Sequence, residues 1–102
     1  MLVECLKNGN SGVYDVKFYK KVVNRKTGQQ TLNMYCSVSS IDSTKIGKEK
    51  YNIIGKGLSR QSIKDKTNKI FGRKLAFSRA IEDFDKSSRI VFWKVFKKNF
   101  SI

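Results

Sequence analysis

Arg73, Lys74, Arg79 and Arg89 carry the clearest chemistry in this chain, and that chemistry is anion binding. A guanidinium can bridge a phosphate with two parallel hydrogen bonds, whereas an ammonium meets it as a point charge. The chain has 17 Lys but only five Arg, and three of the five fall between positions 73 and 89. Lys94, Lys97 and Lys98 continue the basic series. We expect Arg73, Lys74 and Arg89 to form an anion-contacting edge. Gly72 would leave the backbone uncovered in the first turn of a helix, where N–H groups and the positive end of the dipole are free. The competing expectation is that Arg79 and Arg89 pair with Glu82, Asp83 or Asp85 and only fix a helix corner.

A second set lies in the first half. Lys17, Tyr19, Lys21 and Tyr35 occupy one parity of two alternating stretches. Lysines neutralise phosphates and release counterions, and tyrosines on an open sheet can stack bases. The plainer alternative is that Tyr is a good strand residue and that its Lys neighbours guard an exposed sheet.

Other chemistries lack their residues. The chain has no His, which excludes imidazole acid–base work and His metal ligation. Glu82, Asp83 and Asp85 are the only acidic cluster. Successive helical positions do not face one point, so they read as a helix end and not as a Mg²⁺ site. Gly55-Lys56-Gly57 lacks the frame of a phosphate-binding P-loop. Cys5 and Cys36 are isolated and fit as small core residues, reduced in a cytosolic setting. We therefore expect no enzyme activity, no metal and no cofactor.

Composition points the same way. The 102 residues carry a net charge of +14, from 22 basic and eight acidic side chains. Residues 1–42 contribute +3 and residues 43–102 contribute +11. Self-repulsion of that size destabilises a compact chain unless a polyanion offsets it. No apolar run approaches the ~20 residues of a membrane span, and no secretion signal is visible. The expected location is the cytoplasm, with no membrane partner. The oligomeric state is left open.

The elements that must position these residues follow from periodicity. Met1–Leu6 reads as a short strand and residues 8–12 as a turn. Tyr14, Val16, Phe18 and Val22 alternate with polar positions, with Lys20 the exception on the apolar side. Leu32, Met34, Cys36 and Val38 alternate in the same way after the break at Asn24–Gly28. The two runs predict a β-hairpin centred near Thr27, with Phe18 opposite Cys36, Val16 opposite Val38 and Tyr19 opposite Tyr35. Residues 42–50 read as a polar loop and Tyr51–Ile54 as a short strand. Residues 55–67 are basic and weakly patterned, and read as a loop ordered only by a partner.

Residues 71–100 hold six of the seven Phe and the only Trp. Two helices are expected there, one over 68–84 and one over 86–99. Ile70, Phe77, Ile81 and Phe84 lie close to one line of the first, with Phe71 and Leu75 beside them. Asn68 could cap its start. Val91, Phe92, Val95 and Phe96 form the buried side of the second, which Asp85 caps.

The stretch GRKLAFSRAIEDFDKSSRIVFWKVF resembles a group of small bacteriophage proteins of unassigned function. Their shared pattern is a GRKxA(L/F)xRA(L/I) helix followed by an RxxFW helix. It is matched here by Gly72, Arg73, Lys74, Ala76, Phe77, Arg79, Ala80 and Ile81, then by Arg89, Phe92 and Trp93. The acidic stretch after the first helix is short, and the tail is unusually rich in Lys. The resemblance implies a phage origin and no particular activity. Small phage proteins often bind nucleic acid or block a host defence such as a CRISPR nuclease, and that link is one of association only.

The expected fold is α+β: a small antiparallel sheet of three to four strands with two C-terminal helices packed on one face. The expected domain is single, with a β-rich half at 1–54, a basic loop at 55–67 and a helix pair at 68–100. The expected function is non-enzymatic binding of nucleic acid, DNA or RNA, or of a ribonucleoprotein. The alternative is an inhibitor aimed at a host defence protein.

Overall fold

The computed structural model describes residues 1–7, 10–62 and 69–100. It is an α+β fold of four strands followed by two helices: β1 (Leu2–Lys7), β2 (Asn10–Asn24), β3 (Gln30–Ile41), β4 (Tyr51–Ser62), α1 (Lys69–Ala80) and α2 (Lys86–Phe100). The strands form one antiparallel sheet in the order β1-β2-β3-β4. Both helices lie on the same face. The rings of Phe77 on α1 and Phe96 on α2 both meet Phe18 of β2, at 6.1 and 6.0 Å.

The hairpin register is the one expected, with Phe18 paired to Cys36, Val16 to Val38 and Tyr19 to Tyr35. Gly28 closes the turn at φ 81°, a conformation that favours glycine. On the helix side, Val3, Cys5, Tyr14, Val16, Met34, Cys36 and Val38 are buried against Phe77, Ile81, Phe84, Phe92 and Phe96. Phe77 and Phe96 stack at 4.8 Å, and Trp93 meets the edge of Phe77 at 4.9 Å. Phe100, the last residue of α2, reaches Phe18 at 5.5 Å. Lys20 and Val22 lie on the helix-facing parity two and four residues further along and are exposed. Lys20 is therefore no intruder in a core.

Four expectations need correction. The segment at 55–67 is not a loop as far as Ser62: residues 55–62 belong to β4, a full partner of β3, while 63–67 lie outside the described residues. Its weak pattern has a steric cause. A Cβ on Gly57 would sit 1.8 Å from the Ala76 carbonyl oxygen, and one on Gly55 2.2 Å from that of Ala80. The backbone of α1 comes so close that the inward positions of β4 must be bare, which removes the apolar alternation that marks a strand. Ser59 fills the next inward position, fully buried, and donates to the Gly72 carbonyl at 2.8 Å.

The first helix ends at Ala80, and Ile81–Phe84 form a turn that still buries Ile81 and Phe84. Phe71 is 57% exposed and lies outside the core. The turn expected at 8–12 does not include Asn10, Ser11 and Gly12, which pair with Lys7, Leu6 and Cys5. The cap expected at Asn68 lies outside the described residues, as does the side chain of Ile70.

Asp85 does cap α2, accepting the Ser88 backbone N–H at 3.0 Å. A hydrogen bond from the Ser88 side chain, together with that backbone bond, holds its carboxyl below the usual range. The stabilisation it lends is present above the ordinary carboxylate pKa and is lost as pH falls through the lowered one. No helix of the described residues is long and apolar enough to cross a membrane.

Candidate nucleic-acid interface

Strand parity decides what the open face carries. Residues that alternate with the core positions point away from the helices. Three rows across β2, β3 and β4 follow from the register: Lys17–Ser37–Lys56, Tyr19–Tyr35–Leu58 and Lys21–Asn33–Arg60. The sheet thus brings Lys17, Lys21, Tyr19 and Tyr35 together. It adds Lys56 and Arg60, which stand in β4 and not in the loop expected at 55–67. The signal was present as the alternation of Lys56, Leu58 and Arg60 with Gly55, Gly57 and Ser59, masked because those inward residues are small.

The two tyrosine rings are stacked, with centroids 4.8 Å apart and planes within 6°. Tyr19 is 57% exposed, and Tyr35 is half-buried in the central strand. A polar ladder holds the inner ring. Thr31 Oγ1 donates to Asn33 Oδ1 at 3.1 Å, and Asn33 Nδ2 donates to the Tyr35 hydroxyl at 3.3 Å. Beside the pair is a hollow of about 320 Å³ bordered by Tyr19, Tyr35, Ser37, Ile53 and Lys56. Lys17 reaches across the face, with Nζ 5.4 Å from the Tyr51 ring centre and 3.7 Å from Asp15. Among the described residues, Lys17 is the one basic side chain in an ion pair.

A second cleft, of about 630 Å³, runs along the free edge of β4 against α1. Lys56, Arg60 and Arg79 border it, opposed by Glu82. Arg79 Nη1 donates to the Leu58 carbonyl. That bond occupies an outward-facing backbone acceptor of an edge strand, one way to keep such an edge from pairing. Arg79 therefore does not pair with the acidic corner, and it continues the sheet-face charge around the edge.

The remaining basic candidates belong to the helical layer, on the other side of the sheet. Lys74, Arg89, Lys94, Lys97 and Lys98 are exposed there. Arg73 is half-buried, with its guanidinium 5.0 Å from the Phe100 ring centre and its Nε buried without a partner. Gly72 is buried and its carbonyl is taken by Ser59, so the backbone is not uncovered as expected. Gly72 faces β4: a Cβ there would lie 3.3 Å from Ser59 Oγ.

No group of three or more His, Cys, Asp or Glu comes together among the described residues. Cys5 and Cys36 are buried and not joined in a disulfide, on strands separated by β2. Burial pushes the Cys36 thiol up to about 12, so it carries almost no thiolate at neutral pH. Iodoacetamide at pH 8 should leave Cys36 unmodified in the native protein and alkylate it in guanidinium, read by peptide mass spectrometry. Rapid native labelling would show that β3 opens locally.

No protein-family model, curated protein or solved structure matches the chain.

Proposed function

We propose that this protein is a non-enzymatic, phage-type accessory protein of the host cytoplasm that binds nucleic acid, or a complex bearing it, through its basic open sheet face. The observation that carries the reading is the stacked Tyr19–Tyr35 pair framed by Lys21, Lys56 and Arg60, cations without a carboxylate partner among the described residues. A polyanion would relieve the self-repulsion of a +14 chain. Arg73 and Arg79 already hold internal contacts, which makes the helical set the weaker candidate for the primary contact.

The test is a gel-shift panel of single- and double-stranded DNA and RNA, with and without Mg²⁺. A retarded, intact probe is expected. Probe degradation that EDTA stops would overturn the non-enzymatic reading. With Lys17, Lys21, Lys56 and Arg60 on phosphates, log affinity should fall against log salt with a slope of about −3 on single strands and about −4 on duplex. A slope near zero would remove phosphate contact as the main source of affinity.

One observation favours the second reading, an inhibitor of a host defence protein such as a CRISPR nuclease. Beyond the lysine row the open face carries exposed apolar side chains: Leu2, Tyr51 and Ile53 are 63, 44 and 53% exposed. Such a patch beside a basic one suits a protein whose surface is acidic or laden with RNA. Absence of any nucleic-acid shift would favour this reading.

A further inference from the structure

We infer that the nucleic acid taken by the open sheet face is single-stranded, with an unpaired base lodged beside the Tyr19–Tyr35 stack. The inference rests on the nucleic-acid reading above and deepens it.

The geometry of the tyrosines argues for bases and against a duplex. In a duplex the bases are stacked on one another, and their flat faces are closed to a side chain. A surface that reads only duplex phosphates needs cations alone. Here the cations surround an aromatic pair whose outer member is more than half exposed. The pair is also rigid. Its rings support each other at 4.8 Å, and the inner hydroxyl is held from Asn33, itself held from Thr31. A platform held before binding loses little freedom when a base settles on it.

The surroundings suit one nucleotide and its links. The hollow beside the pair, of about 320 Å³, is bordered by Ile53 on the apolar side and Lys56 on the polar side. A base needs the first and a phosphate the second. Lys17 and Lys56 flank Ser37 in one row, next to the row of the tyrosines. Tyr51 lies further along the same face, beyond the lysine row, under Lys17. From the Tyr35 row to the Tyr51 row is six residues of β3, about 20 Å at strand rise. The face therefore offers two aromatic stations with cations between them. That is the pattern by which single strands are held without sequence preference: bases on aromatic rings and a backbone tracked by positive charge.

The test uses fluorescence anisotropy with a labelled oligothymidine and a labelled hairpin duplex at one salt concentration, on the intact chain. Wild type should bind the single strand at least about tenfold more tightly than the duplex. Tyr19→Ala should weaken single-strand binding by about 5- to 100-fold, leave duplex binding unchanged, and keep a cooperative melt only a few degrees lower, for the cross-strand ring pair it removes. Tyr19→Phe should restore it, because the ring and not the hydroxyl makes the stack. Equal binding of both probes, or a single-strand preference that survives Tyr19→Ala, overturns this inference while the nucleic-acid reading stands. No binding of either probe overturns this inference, and no shift across the whole DNA and RNA panel overturns the nucleic-acid reading as well.

Discussion

Gly57→Val is expected to leave the protein unfolded or largely so at 25 °C, and Gly57→Ala to cost at least the ~1–3 kcal/mol typical of overpacking. The added Cβ would lie 1.8 Å from the Ala76 carbonyl oxygen and 2.6 Å from the Ala80 nitrogen. Both are backbone atoms of a helix, so no side chain can swing away. Relief requires α1 to lift off β4 as a body, which would disturb the burial of Phe77 and the Ser59–Gly72 bond. An ordinary domain has only about 5–15 kcal/mol in hand. The measurement is the guanidinium midpoint. If Gly57→Ala melts like wild type, α1 does not sit on β4 as described, and the Gly55-Lys56-Gly57 segment has another purpose.

Phe77→Ala should cost about 3–5 kcal/mol. Phe77 is fully buried and touches Phe18, Phe92, Trp93 and Phe96, so one ring joins β2, α1 and α2. Trp93 is half-buried, so Trp93→Ala should cost distinctly less than full removal of a buried ring. Equal losses in the two variants, by denaturant unfolding, would show that the indole is more deeply packed than its exposure implies.

These two sites also show what the sequence could and could not tell. The β2–β3 hairpin was legible in its parity because both strands bury side chains on one face and alternate in full view, and centring its turn near Thr27 gives the pairing observed. The helix pair was legible because aromatic residues recur at helical spacing. β4 was legible only at Tyr51–Ile54. Beyond that its inward residues are Gly55, Gly57 and Ser59, and a helix backbone supplies the burial that apolar side chains would otherwise signal. That omission carried through to the site. With β4 read as a loop, Lys56 and Arg60 had no face, and the arginines of the helices looked like the densest charge.

In the fold those arginines divide. Arg79 braces the β4 edge and Arg73 lies over Phe100, each held by a contact that only tertiary structure creates. The tyrosine pair was predicted as facing residues, and its ring stack follows from the register. The exposed apolar side chains of the same face were not legible, because Leu2 and Ile53 come from opposite edges of the sheet.

The open sheet face is the binding surface in this account, and paired charge reversals test that most directly. Lys56→Glu with Arg60→Glu changes the sheet face, and Arg89→Glu with Lys94→Glu changes the helical layer. All four side chains are exposed, so both double variants should keep the wild-type melting temperature. Oligothymidine affinity, measured across a salt series, should fall at least about tenfold in the sheet variant. Its salt slope should shrink by about 1.4, two phosphate contacts on a single strand. The helical variant should keep both the wild-type slope and, within about threefold, the wild-type affinity. A loss of affinity and slope confined to the helical variant would contradict the account and return the binding edge to the arginines of α1 and α2.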